Sequence, residues 1–327
     1  MRETNILMTS AGRRTQLIRY FQKELKKRGK IIAVDCNKTA PTLYIADKSY
    51  IAPRISHPDY ISFIKDICTR EGITAIISLL DPELSILAKK KEEFKELGVE
   101  LILSEKAVID TCFDKYRMFR FLEENSFKTP KTYIDISEFE EDLNDNKISF
   151  PVFVKPRKGS ASLGINKINN IDELNLITKY NDGLLIQEYM DGHEYGADVY
   201  VDVISQEIIS IFLKKKIRMR AGETDKAVSV KNKDLMNLVK RFIEELNIVG
   251  PADIDIFEKD GDYYISEVNP RFGGGYLIAY ECGENFPKYI INNIKGKKNK
   301  PKIDEYEDDI YMFRHDIVTI KKKSELM

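Results

Sequence analysis

The chain has 327 residues, 43% hydrophobic and 32% charged, an ordinary globular composition with enough apolar material for two or three lobes. Lys plus Arg number 52 against 53 for Asp plus Glu, so no net field recruits nucleic acid or an acidic membrane surface. The apolar runs are strand-sized, MRETNILMTSAG lacks a signal peptide's long apolar segment, and four scattered cysteines with three histidines support neither a disulfide framework nor a zinc site, so a cytoplasmic protein is expected.

Strand and helix alternate over the first hundred residues. NILMTS reads as a strand, RRTQLIRYFQKELKKRG as a helix ending at Gly29, and KIIAVDCN as a second strand with Asp35 at its end. YISFIKDICTREG then reads as a helix, ITAIISLL as a strand, ELSILAKKKEEFKELG as one helix and VELILS as a strand. Such alternation implies a parallel sheet covered on both faces, with ligands at the carboxyl ends of strands, here near Ser10, Gly12, Asp35 and Asp81. A nicotinamide site would need G-x-G-x-x-G after the first strand, and TSAGRRTQ supplies one glycine. Arg13 and Arg14 read as a solvated first turn rather than an anion clamp.

SEKAVIDTCFDKYRMFRFLEENSF reads as helical segments with Lys115 in the second. In PVFVKPRKGSASLGINKI a strand delivers Lys155, Pro156 ends it, and Gly159, Ser160, Ser162 and Gly164 lie in a loop leading to another strand. A cation at a strand end beside a glycine-rich loop suits phosphate, although the same pattern builds a plain hairpin. LLIQEYMDGHEYGADVYVD is a strand, an irregular passage at Asp191 and Gly192, and a strand alternating from Glu194. Backbone groups at Glu188 and Met190 could read an adenine edge there and Glu194 a ribose; the bland alternative is again a hairpin.

PADIDIFEKDGDYYISEVNPRF is two strands about an Asp-Gly turn. Side chains repeat every second residue, so Asp253 and Asp255 share a face, as do Glu267 and Asn269. If Asp255 lies opposite the end of the return strand, three hard oxygen donors converge in a set suited to Mg2+ on nucleotide phosphates. A Glu267–Arg271 pair at the sheet edge is the structural alternative.

In this order the motifs resemble the ATP-grasp superfamily, most closely the modules of carbamoyl-phosphate synthetase large chains and related stand-alone carboxylate-amine ligases. The resemblance implies a Rossmann-like parallel α/β domain (1–108), then a two-lobed ATP-grasp α+β domain made of a small lobe with linker helix (109–186) and a C-terminal lobe with its tail (187–327). It assigns Lys115 and Lys155 to phosphate, Gly159, Ser160, Ser162 and Gly164 to a mobile loop, and Gln187, Glu188, Met190 and Glu194 to adenine and ribose. Asp255, Glu267 and Asn269 take the metal positions, and Arg271 the place of the arginine that steadies the transferred phosphoryl group. Ser10, Gly12, Asp81, Arg218, Arg220 and Glu223 fall near the substrate, with Glu223 and Asp81 as candidate bases.

The implied cofactors are ATP and Mg2+, with Mn2+ as a substitute. The implied reaction is ADP-forming activation of a carboxylate and its coupling to an amine, both small molecules, with a homodimer admitted. The chain has room for one module, too few to make carbamoyl phosphate. A non-catalytic nucleotide-binding regulator and a Rossmann-type oxidoreductase are the rival classes. The tail IYMFRHDIVTIKKK reads as a last strand or hairpin with no chemical role assigned.

Overall fold

The computed structural model describes residues 3–159 and 164–327. Its N-terminal part holds β1 (Asn5–Thr9), α1 (Thr15–Leu25), β2 (Ile31–Asp35), β3 (Lys48–Ile51), α2 (Tyr60–Glu71), β4 (Ile73–Ser78), α3 (Asp81–Ala88), α4 (Lys91–Glu96) and β5 (Glu100–Leu101). The strands form a parallel sheet in the order β3-β2-β1-β4-β5. Alternate residues supply its two faces: Ile6, Met8, Ile31 and Ala33 enter one core, whereas Leu7, Ile32 and Val34 enter another. Strands buried on both faces read as unbroken apolar runs, which is why β1, β2 and β4 are visible in sequence. The edge strand β3 is not, because its four residues are half-buried or exposed. The helix expected after β4 is two helices, broken at Lys89 and Lys90, where consecutive lysines offer no apolar side chain to hold the turn against the sheet.

Helices α5 (Lys106–Phe113) and α6 (Lys115–Glu124) come next, the second capped by Asp114, whose carboxylate accepts from the Arg117 N–H. The small lobe comprises β6 (Thr132–Tyr133), α7 (Ile136–Asn144), β7 (Val152–Pro156), β8 (Asn166–Ile168), α8 (Ile171–Lys179) and β9 (Leu184–Glu188), with sheet order β6-β9-β7-β8. Its core joins Val152, Val154 and Ile186 to Phe139 and Leu174 of the two helices.

The large lobe comprises β10 (His193–Val201), β11 (Ile208–Arg220), β12 (Glu223–Ser229), α9 (Lys233–Leu246), β13 (Gly250–Lys259), β14 (Asp262–Asn269), α10 (Tyr276–Glu281), α11 (Phe286–Ile294) and β15 (Tyr311–Phe313). Its sheet runs β14-β13-β10-β11-β12-β15, so the tail adds the last strand. One face is apolar throughout: Ala197, Val199, Leu213, Ile254, Ile256 and Val268 pack on α9 and on Met118 and Leu122 of α6. Helix α6 and Cys112 of α5 therefore rest on the large lobe, while Ile109 of α5 packs into the core of the N-terminal domain. The opposite face is divided. Tyr200 and Phe212 join the core shared with β1, α1, α10 and α11, and the remainder of that face is charged.

Candidate active site

The charged half of the large sheet floors a cleft of about 520 Å³, closed on one side by the small lobe and at one end by the N-terminal domain. Strand register assembles the floor. Asp255 lies opposite Glu267 and Asp253 opposite Asn269, so four polar side chains of β13 and β14 share one face. The turn between these strands is Asp260-Gly261 with both residues at positive φ (53° and 83°), the two-residue hairpin form that fixes such a register. In β10 and β11 the same alternation places Glu194, Asp198, Lys214 and Lys216 on this face. Lys216 donates to Glu194 (2.7 Å) and to Asp255; buried Lys214 donates to Asp198 and lies 3.6 Å from Asp253.

Neither Lys214 nor Lys216 was singled out from sequence. The available signal was a period-two pair of lysines in KKK, but only the β10–β11 register shows that they meet acids. Burial pushes the Asp255 carboxyl up to about 7, assisted by Asp253, Glu194 and Glu267 and opposed by Lys216. So crowded a set of carboxylates calls for further positive charge.

The phosphate-type cations face this floor. Lys155 at the end of β7 is buried, donates to Gln187 Oε1 (2.7 Å), and has its ammonium pushed down to about 8 by burial and then by Lys115. Gln187 is held in turn by donating to Thr132 Oγ1 (2.9 Å), so its side chain positions Lys155. Lys115, the first residue of α6, donates to the Gly159 carbonyl (2.8 Å) and lies 3.9 Å from Glu267. β7 and β8 do form a hairpin, yet Lys155 points into the cleft, so the two readings of that motif hold together. Gly159 and Gly164 have positive φ; Ser160 and Ser162 lie outside the described residues.

The passage after β9 is not a hairpin, since β9 and β10 belong to different sheets. Glu188 has its N–H engaged by the Lys131 carbonyl (2.8 Å) and its carboxylate by Lys259 (3.1 Å), whereas Met190, like Tyr189 and Asp191, makes no backbone hydrogen bond among those described. Gly192 has no room for a side chain: a Cβ there would sit 2.1 Å from the Glu258 carbonyl oxygen.

At the other end Arg271 does not pair with Glu267. It donates to Asp81 Oδ2 (2.7 Å) and Asn269 Oδ1 (3.1 Å), tying the large lobe to the N-terminal domain. Arg14 is no solvated turn either: its guanidinium is 3.5 Å from Glu223, with only Arg13 largely exposed. Glu223 also accepts from Arg314 of the tail, which donates to the Gly274 carbonyl as well. Burial raises the Glu223 carboxyl, but Arg14, Arg314 and Arg13 outweigh it and hold it below the ordinary value. The tail residue had no recognisable sequence signal, because its partner lies 91 positions away. Arg220 lines the cleft and pairs with Asp225 and Asp316, whereas exposed Arg218 reaches Asp225 outside it. Gly12 donates its N–H to Asp35, and Ser10 lines a separate cavity.

Asp255, Glu267 and Asn269 fit a hard cation: three oxygen donors on one face, two of them carboxylates, with no histidine or cysteine. Among the described residues no three His, Cys, Asp or Glu cluster as a metal site. No helix among the described residues is long and apolar enough to cross a membrane.

Residues 6–102 match the model of the PylC-like N-terminal domain, and residues 112–275, half of the chain, match the ATP-grasp domain. The coenzyme gamma-F420-2:alpha-L-glutamate ligase of Methanococcus maripaludis is 30% identical over 173 residues, 49% of this chain and 59% of that protein. A carbamoyl phosphate synthase large chain of Thermoanaerobacter is 26% identical over 219 residues, 62% of this chain and 20% of that one. The chain thus spans less than two thirds of either relative. The fold is that of N5-carboxyaminoimidazole synthetase from Staphylococcus aureus complexed with ADP, with TM-score 0.72, 16% identity, and coverage of 92% of this chain and 79% of that one. With its N-terminal α/β domain, its two further sheets and a cleft floored by paired acids and cations, the chain belongs to the ATP-grasp family.

Proposed function

We propose that the chain is an ADP-forming ligase that activates a carboxylate as its acyl phosphate with MgATP and couples it to an amine. The observation that carries this reading is the register-matched Asp255 and Glu267, with Asn269, in one cleft with Lys155 and Lys115. The two relatives, a glutamate ligase and a carbamoyl phosphate synthase, support it.

In this reading Met190 offers free backbone groups to the adenine edge and Glu194 accepts from ribose hydroxyls. Lys115 and Lys155 neutralise the phosphate chain. Asp255, Glu267 and Asn269 would hold Mg2+, which when bound neutralises the triphosphate and polarises its γ-phosphoryl group. A substrate carboxylate oxygen attacks that phosphorus, the bond to the β,γ-bridging oxygen breaks, and ADP leaves. Arg271, fixed by Asp81 and Asn269, steadies charge on the transferred group. The amine then attacks the acyl carbon, the carbon–oxygen bond to phosphate breaks, and the surplus proton is lost from nitrogen. Glu223 is a weak base for that proton because its arginines favour the carboxylate, and Asp81 is likewise paired with Arg271.

An acid labelled with 18O in its carboxylate tests the chemistry. An acyl phosphate sends one label into inorganic phosphate for each turnover. ADP release with unlabelled phosphate would eliminate this route.

A further inference from the structure

A second cavity, about 360 Å³, opens at the carboxyl ends of β1 and β2 and is not part of the nucleotide cleft. Its size falls within the range of ligand pockets, and it occupies the place where parallel sheets bind ligands. Val34, Ala52, Pro53 and Ile55 make its apolar wall. Two residues of opposite charge also line it, half-buried Asp35 and exposed Arg54. They do not pair with each other. The Asp35 oxygens accept only backbone N–H groups, from Gly12 (2.9 Å) and Asn37 (2.8 Å), and each keeps a lone pair. Arg54 makes no ion pair among the described residues. Residues of opposite charge that do not pair with each other, beside an apolar wall, are complementary to a molecule that carries both signs.

The cavity adjoins the cleft. Leu80 lines both, and the β1–α1 segment places Ser10 on the cavity and Arg13 and Arg14 on the cleft.

We propose that this cavity binds the zwitterionic head of an α-amino acid, with its α-carboxylate on Arg54 and its α-ammonium on Asp35, while the side chain carries its reacting group past Leu80 into the cleft. This deepens the ligase reading and rests on it: one of the two substrates is an amino acid that reacts through its side chain. The α-groups are then shielded and the distal group is joined.

Cys36 provides a readout independent of turnover. It lines the cavity and is exposed, whereas Cys68 and Cys112 are buried and Cys282 is half-buried. Alkylation of Cys36 by iodoacetamide, followed by peptide mass, is measured with each of the twenty standard amino acids. Every protecting amino acid is then compared with its decarboxylated and its deaminated analogue. At ten times its dissociation constant a protecting amino acid slows alkylation roughly tenfold by mass action. Both analogues are expected to protect poorly, and Arg54→Gln to weaken protection roughly tenfold to a hundredfold, the scale of one charge-assisted hydrogen bond. Equal protection by the headless analogues, undiminished protection in Arg54→Gln, or none by any amino acid overturns the proposal. The MgATP-induced rise in melting temperature, measured on the same samples, reports on the nucleotide site separately. If that rise is absent while protection obeys Arg54, the ligase reading fails and the amino-acid site stands; the reverse result removes the site alone.

Discussion

At the residue scale the cleft depends on charges whose burial is unfavourable until a ligand arrives. Glu267 is half-buried in this floor, and its nearest cation among the described residues, Lys115, is 3.9 Å away. Glu267→Gln keeps volume and strand propensity, so circular dichroism and nucleotide binding should be retained. ADP-forming turnover should fall roughly a hundredfold or more, the scale of losing one electrostatic contact in a water-excluded site. Wild-type turnover across a magnesium titration would take Glu267 out of the site. Lys155 gives the converse effect on stability. Its folded value of about 8 lies below the ordinary 10.5, so the folded state releases the proton first. The penalty is fully present below pH 8, and stability of the nucleotide-free protein rises with pH between about 8 and 10.5. Lys155→Met should therefore stabilise the nucleotide-free protein at pH 7 by about 1–3 kcal/mol while abolishing nucleotide binding. Denaturant melts at pH 7 and pH 10 check this, and a variant less stable at pH 7 would show that Lys155 is structural.

At the element scale, alternation along single strands decides which chemistry reaches the cleft. In β13 the run ADIDI sends Ala252, Ile254 and Ile256 to the apolar face and Asp253 and Asp255 to the cleft. A one-residue slip would bury both acids and expose three apolar side chains. The passage joining β9 to β10 is fixed differently, by Gly192 packed against the Glu258 carbonyl. Gly192→Ala forces that backbone apart. An overpacking cost of about 1–3 kcal/mol is expected, with lower nucleotide affinity because Met190 lies two residues away. Calorimetry and a nucleotide titration of the variant measure both, and an unchanged melting temperature would mean that the passage yields freely.

At the scale of the whole molecule, the N-terminal sheet and the large lobe share one core, in which Ile6, Phe21 and Tyr20 meet Phe272, Tyr276 and Tyr280. Tyr20 and Tyr280 stack at 3.7 Å, and Asp81–Arg271 adds a buried ion pair across the same junction. These two parts should unfold together, in one calorimetric transition. MgATP, binding only the folded state, should raise its stability by about 2.7 kcal/mol at one hundred times the dissociation constant, whereas NADH should not. Stabilisation by NADH instead would favour the oxidoreductase reading.

Sequence alone determined the features that backbone periodicity dictates. The parallel α/β start, the Asp-Gly hairpin and the shared faces of Asp253 with Asp255 and Glu267 with Asn269 are consequences of the two-residue repeat and of local turn chemistry. Lys155 is legible as a cation at a strand end, whereas Lys115 is singled out only by the family resemblance. Tertiary structure decided which charges meet. Lys216 reaches Glu194 and Asp255 only because β11 pairs with β10 and β10 pairs in turn with β13, Arg314 reaches Glu223 only because the tail adds a strand to β12, and Arg271 chooses Asp81 over Glu267 because the N-terminal domain docks at that end. The partners in these pairs lie 22 to 190 positions apart. Register and domain packing bring them together, and these are set by the burial of apolar faces remote from the charges themselves.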